Sequence, residues 1–115
     1  MIYKIVYSGK IPSTNTIYAS GAWQVRAAEK IKWAKIITVL LLEAGVKPFG
    51  HFNLEMRYRT RHDVDNLSIL AKYFSDTLKN KYVKDDTSKY FKKLTIEYDE
   101  ALPKNTVEFY IETHE

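Results

Sequence analysis

The 115-residue chain contains no cysteine. That excludes a disulfide framework, a cysteine-ligated zinc site and a cysteine nucleophile, and it is compatible with a reducing compartment. Long apolar runs are missing as well. The longest, Ile36 to Leu42, is interrupted by Thr38 and falls far short of the roughly 20 residues that span a bilayer. The opening MIYKIVYSGK has no apolar stretch of signal-peptide length, so a soluble, cytoplasmic protein without a membrane partner is expected. Internal repeats, low-complexity tracts and linkers are absent too, which leaves one domain over residues 1–115.

Hydrophobic residues make up 45% of the chain and aromatics 14%, enough to argue for a packed core and against disorder. The net charge of +4 points only weakly to an anionic partner. Its distribution says more: ten lysines and arginines lie between Arg57 and Lys93, and the aspartates best placed for chemistry lie among them.

The local pattern predicts a mixed α+β domain in the order β, loop, α, β, α, β, β. Ile2 to Tyr7 is apolar on both faces, as in a central strand of a covered sheet. Ser8 to Gly21 carries turn signals, with a short extended piece at Thr16 to Tyr18. Trp23 to about Ala44 is expected to be one long helix, with Val25, Ala28, Ile31, Ala34 or Lys35, and Thr38 at helical spacing and Gly45 and Pro48 as stop signals. The stretch Ile36 to Leu42 is apolar nearly all round, which suits the core and a subunit interface equally. Phe52, Leu54, Met56 and Tyr58 alternate with polar residues, predicting a half-buried strand. A second helix over Leu67 to Asn80 has the stripe Leu67, Leu70, Ala71, Phe74 and Leu78. Strands at Tyr90 to Tyr98 and Val107 to Ile111 follow.

The polar alternation continues past the second strand as RYRTRHDVDN. If the strand persists, Arg57, Arg59, Arg61, Asp63 and Asp65 share one face. Two carboxylates that close repel unless a cation neutralises them, and Mg²⁺ suits a few carboxylates, several waters and phosphate oxygens. Asp85 and Asp86 offer a third acidic source. The same residues have structural readings: Asp65 or Asn66 as a helix N-cap, Asp63 beside a helix dipole, and Asp85 and Asp86 as turn formers. His62 is out of phase with the arginines, and His51 and His114 have no usable spacing.

In combination, R-x-R-x-R-H-D-V-D-N at 57 to 66, K-x-x-x-D-x-L from Lys72 to Leu78, and D-D at 85 and 86 resemble the RusA family of Holliday junction resolvases. The segment I-P-S-T-N-T-I-Y, Ile11 to Tyr18, is similar to that family's Pro-Ser-x-Asn and tyrosine segment. The resemblance implies a small α+β homodimer that binds four-way DNA junctions and nicks two strands symmetrically using Mg²⁺, with Mn²⁺ as a substitute. It matches Asp63, Asp65 and Asp86 to the family's three catalytic aspartates, with Asp85 the less certain neighbour, and Lys72 to its lysine. A phage or prophage origin in a bacterial host fits such genes. The family's lysine commonly stands four residues after the second aspartate. Ile69 holds that place here and Lys72 comes seven residues after Asp65, so three residues are inserted. Either the helix starts after them, or another cation such as Arg61 takes the role. Arg57, Arg59, Arg61, Lys79, Lys81 and Lys84 are the expected grip on the DNA backbone. Two alternatives stand beside a resolvase: a non-catalytic branched-DNA-binding protein, and a nuclease for flaps or RNA.

Overall fold

A computed structural model describes residues 1–12 and 23–115. Its elements are β1 (Ile2–Ser8), α1 (Trp23–Glu43), β2 (His51–Arg59), a 3₁₀ turn (Val64–Leu67), α2 (Ser68–Leu78), β3 (Phe91–Tyr98) and β4 (Thr106–His114). They form a single-domain α+β fold with a four-stranded mixed sheet in the order β1-β4-β2-β3. β4 is antiparallel to both its neighbours, whereas β3 runs parallel to β2 through the α2 crossover. The similarity segment Ile11 to Tyr18 and the extended piece at Thr16 to Tyr18 fall largely or wholly outside the described residues.

The period-two pattern of β2 works as expected. Phe52, Leu54, Met56 and Tyr58 are buried, while the residues between them lie half-buried on the opposite face. Val107, Phe109 and Ile111 of β4 line the same core. All five residues of the α2 stripe are buried, and Phe74 stacks on Phe109 with ring centroids 4.5 Å apart. Helix α1 adds Trp33, Ile37 and Leu41, with Trp33 edge-on to Tyr7 of β1. It ends in a Schellman turn: Gly45 takes φ +68°, its N–H donates to the Leu42 carbonyl, and the Val46 N–H donates to that of Leu41.

Two expectations change. β1 is an edge strand rather than a central one, because β4, the last strand in sequence, inserts beside β2. Its outward residues Ile2 and Val6 stay exposed, so apolar side chains on both faces did not mean two covered faces. On α1 the spacing through Val25 and Ile31 marks the exposed side. The face that packs is Trp33–Ile37–Leu41; only the stretch Ile36 to Leu42 is apolar nearly all round, and there the period fits either face. Of Ile36 to Leu42, Ile37 and Leu41 are in the core, while Val39 and Leu42 are exposed.

Phe74→Ala should lower unfolding stability by about 3–5 kcal/mol, through reduced burial and the cavity left against Phe109. Val6→Ala, on the exposed face of β1, should stay within about 0.5 kcal/mol, as an exposed substitution. Urea denaturation of both variants distinguishes the two faces of the fold.

Candidate functional site

Strand β2 ends at Arg59, so the alternation does not run on through Asp65. The reason is local. Tyr58 is buried and its hydroxyl donates to the His62 carbonyl at 3.1 Å, while the His62 N–H donates to Thr60 Oγ1 at 3.0 Å. These bonds bend the chain back over the strand end. Asp63 follows in an extended conformation, φ −73° and ψ 160°, and Asp65 lies within the 3₁₀ turn. The Asp63 carbonyl accepts the Asn66 N–H, and the Asp65 carbonyl accepts the Ser68 hydroxyl at 2.9 Å. The N-cap position of α2 belongs to Leu67, and the Asp63 side chain makes no capping bond to the 3₁₀ turn. Both aspartates are exposed. They therefore do not serve as side-chain caps.

Both carboxylates lie close enough to the Tyr58 hydroxyl to act on it. Burial pushes the phenol's pKa up, and the negative charges of Asp63 and Asp65 push it further, with Tyr98 also contributing. Among the described residues neither aspartate is in an ion pair. The chain beyond β2 thus carries two exposed anions close in sequence, held by main-chain bonds and without ion pairs among the described residues.

Asp85 and Asp86 differ in what they do. The Asp85 carboxylate accepts the Asp86 N–H at 2.8 Å and pairs with Lys79 at 3.4 Å. The backbone bond and the lysine hold its pKa below the usual carboxylate range. Asp85 closes its own turn, as turn chemistry would have it. Asp86 instead faces Lys72, whose Nζ is 3.9 Å from Asp86 and 3.2 Å from Asp76; Lys30 of α1 also reaches Asp76, at 3.5 Å. A 3₁₀ turn leads into α2, which starts at Ser68, so Lys72 comes one turn into the helix, about 6 Å along the axis.

Asp63 and Asp65 follow the end of β2 where Tyr58 meets Tyr98, whereas Asp86 precedes β3 and lies against Lys72 of α2. Among the described residues no three histidine or acidic side chains form a metal-holding group. The Asp63–Asp65 pair still fits the chemistry of Mg²⁺, a hard cation that takes one or two carboxylates and fills its remaining positions with water and phosphate oxygens.

The expected basic residues part company. Arg57 sits on the sheet face away from the helices, 3.5 Å from Glu55 and over the Tyr110 ring at 5.6 Å. Its Nε is buried without a hydrogen bond, so the contact with Glu55 is an ion pair alone. Lys79, Lys81 and Lys84 cluster beyond the far end of α2, with Lys79 already paired to Asp85. Arg59 and Arg61 line a cleft of about 1010 Å³ that begins where the aspartate turn begins; one Arg59 Nη donates to the Leu102 carbonyl at 3.0 Å. Lys10, Lys32 and Lys104 line the same cleft. No spacing rule connects residues so far apart in sequence, and only the fold gathers them.

No family model matches this chain, and comparison with curated proteins finds no match.

The Tyr58 phenol provides a direct reading of the aspartate turn. Asp63→Asn and Asp65→Asn should each lower its pKa, since each removes a negative charge that opposes tyrosinate formation. Titration of the labelled Tyr58 Cζ resonance by NMR measures this. The sign also sets a stability effect: a folded-state pKa raised above the unfolded value means stability that is whole below about pH 10 and declines as pH rises through the folded value.

Proposed function

We propose that the chain is a RusA-like, Mg²⁺-dependent endonuclease that resolves four-way DNA junctions by paired nicks, working as a homodimer in a bacterial cytoplasm, with phage or prophage origin. The observation that carries this reading is the turn Asp63–Asp65, two exposed carboxylates without ion pairs among the described residues, set beside a cleft lined by Arg59 and Arg61. It joins the motif order of the sequence to a surface that attracts phosphodiester.

In this reading Asp63 and Asp65 hold the divalent ion, which supplies Lewis acidity and an activated water when bound. Tyr58, kept neutral by burial and by the same aspartates, fixes the His62 carbonyl and with it the turn's shape. Arg59 and Arg61 hold the scissile strand by its phosphates. Lys72 is the cation that offsets charge developing on the reacting phosphate. Asp86, 3.9 Å from the Lys72 ammonium, orients it and is the third aspartate of the set. Lys79, Lys81 and Lys84 serve DNA arms farther from the cut. The exposed apolar residues of α1, Ile31, Val39 and Leu42, are the proposed contact between two copies.

That no three acidic side chains converge on one place among the described residues favours one rival, a protein that binds branched DNA without cutting it. A synthetic four-way junction with Mg²⁺ decides between them. Wild type should cut it and stop on addition of EDTA, Asp65→Asn should lose at least about 100-fold in rate with junction binding retained, and Lys72→Ala should lose about 10–100-fold. Sedimentation should give twice the 13.5 kDa mass of one chain. Binding in EDTA without cleavage under any divalent ion establishes the rival instead.

A further inference from the structure

The cleft at the end of β2 draws its charge from four separate parts of the chain. Lys10 follows β1, Lys32 belongs to α1, Arg59 and Arg61 lie at and just beyond the end of β2, and Lys104 precedes β4. Among the described residues, the lining sets one carboxylate against these five cations: Glu29, which accepts a hydrogen bond from the Trp33 indole at 3.2 Å. The volume, about 1010 Å³, is at the top of the range for pockets that enclose one small molecule, and such pockets are mostly apolar with few polar groups. Five cations around one open cleft suit a run of phosphates better than a compact metabolite.

The wall also holds Tyr98, which is 48% exposed. Its ring meets Tyr58 edge-on at 5.6 Å, so a buried neighbour orients it while much of its surface stays open to the cleft. An exposed aromatic among cations is the arrangement that holds unpaired nucleotides: cations track the backbone, and a base stacks on the ring whatever its identity. A base inside a duplex has both faces already stacked and gains nothing from Tyr98.

We propose that this cleft binds an unpaired nucleic-acid strand, with its phosphates on Lys10, Lys32, Arg61 and Lys104 and one base on Tyr98, and leads it to Asp63 and Asp65. The last clause rests on the nuclease reading, whereas strand binding does not.

Fluorescence anisotropy with labelled oligo(dT), in EDTA across a salt series, tests the cleft without cleavage. The variants are Lys32→Glu with Lys104→Glu, Tyr98→Ala, Tyr98→Phe, and Lys47→Glu in the turn after α1 as a charge control outside the cleft. The double variant should bind at least tenfold more weakly, and its salt slope should fall by about 1.4, or about 0.7 for each phosphate no longer neutralised. Tyr98→Ala should weaken binding by about tenfold with little change in slope, and Tyr98→Phe should restore it. Lys47→Glu should remain within about twofold. Lys32→Gln with Lys104→Gln replaces the double reversal if thermal melting shows that variant unfolded, and it should also bind more weakly with a reduced slope. The proposal is overturned if wild type does not bind oligo(dT), if Lys47→Glu weakens binding as much as the cleft variants, or if a duplex of equal length binds as tightly and loses as much from Tyr98→Ala. If the cleft variants behave as expected but no junction is cut, the nuclease reading fails and the strand site stands.

Discussion

The hydrogen bond from Tyr58 to the His62 carbonyl is the constraint on which the rest of the site depends. A phenol buried at the end of β2 needs an acceptor, since leaving it unsatisfied costs about 1–3 kcal/mol. It finds one only four residues later. In a continuing strand that carbonyl would lie about 13 Å farther along at 3.3 Å per residue, so making the bond means ending the strand. The chain folds back, Asp63 and Asp65 enter a short turn over the sheet edge, and Arg59 and Arg61 fall beside the cleft. Substitution of a single core side chain would therefore disturb charge placement as well as packing.

Much of the fold is legible in the sequence because its strongest elements are amphipathic at a clear period. β2 alternates without error, and α2 presents one apolar stripe that buries whole. β1 and α1 mislead for a shared reason: both are apolar on more than one side, and periodicity assigns a face only when the other face is polar. The sheet order lies beyond local pattern, because the last strand pairs between β1 and β2, far from both in sequence. At the site, the aspartate pair is visible as a motif, but the strand expected to carry it ends four residues before Asp63. Tyr58, whose bond causes that ending, counts in the sequence only as another core aromatic. The cations of the cleft are invisible for a different reason, since Lys10, Lys32 and Lys104 are ordinary surface lysines until two loops and a helix bring them together.

Charge is sorted along the fold. On the sheet face away from the helices it is internally balanced: Lys4 pairs with Glu108 at 3.0 Å, Tyr110 donates to the same glutamate at 2.8 Å, and Arg57 sits between Glu55 and the Tyr110 ring. Burial pushes the Glu108 pKa up, but the hydrogen bonds from Tyr110 and Lys4 leave it lowered. That face has little net field to offer a polyanion. At the end of β2 the signs are separated instead, with two aspartates on one turn and five cations across the adjoining cleft. In the proposed function this juxtaposition would bring a phosphate chain and a divalent ion to neighbouring places, as phosphodiester hydrolysis requires.

The central claim is that the aspartate turn is where the ion binds. A crystal soaked in Mn²⁺ and read by anomalous scattering tests it most directly. The account predicts a peak within coordination distance of both Asp63 and Asp65. A protein that takes up Mn²⁺ only elsewhere, or shows no peak at that turn with the aspartates ordered, would contradict it.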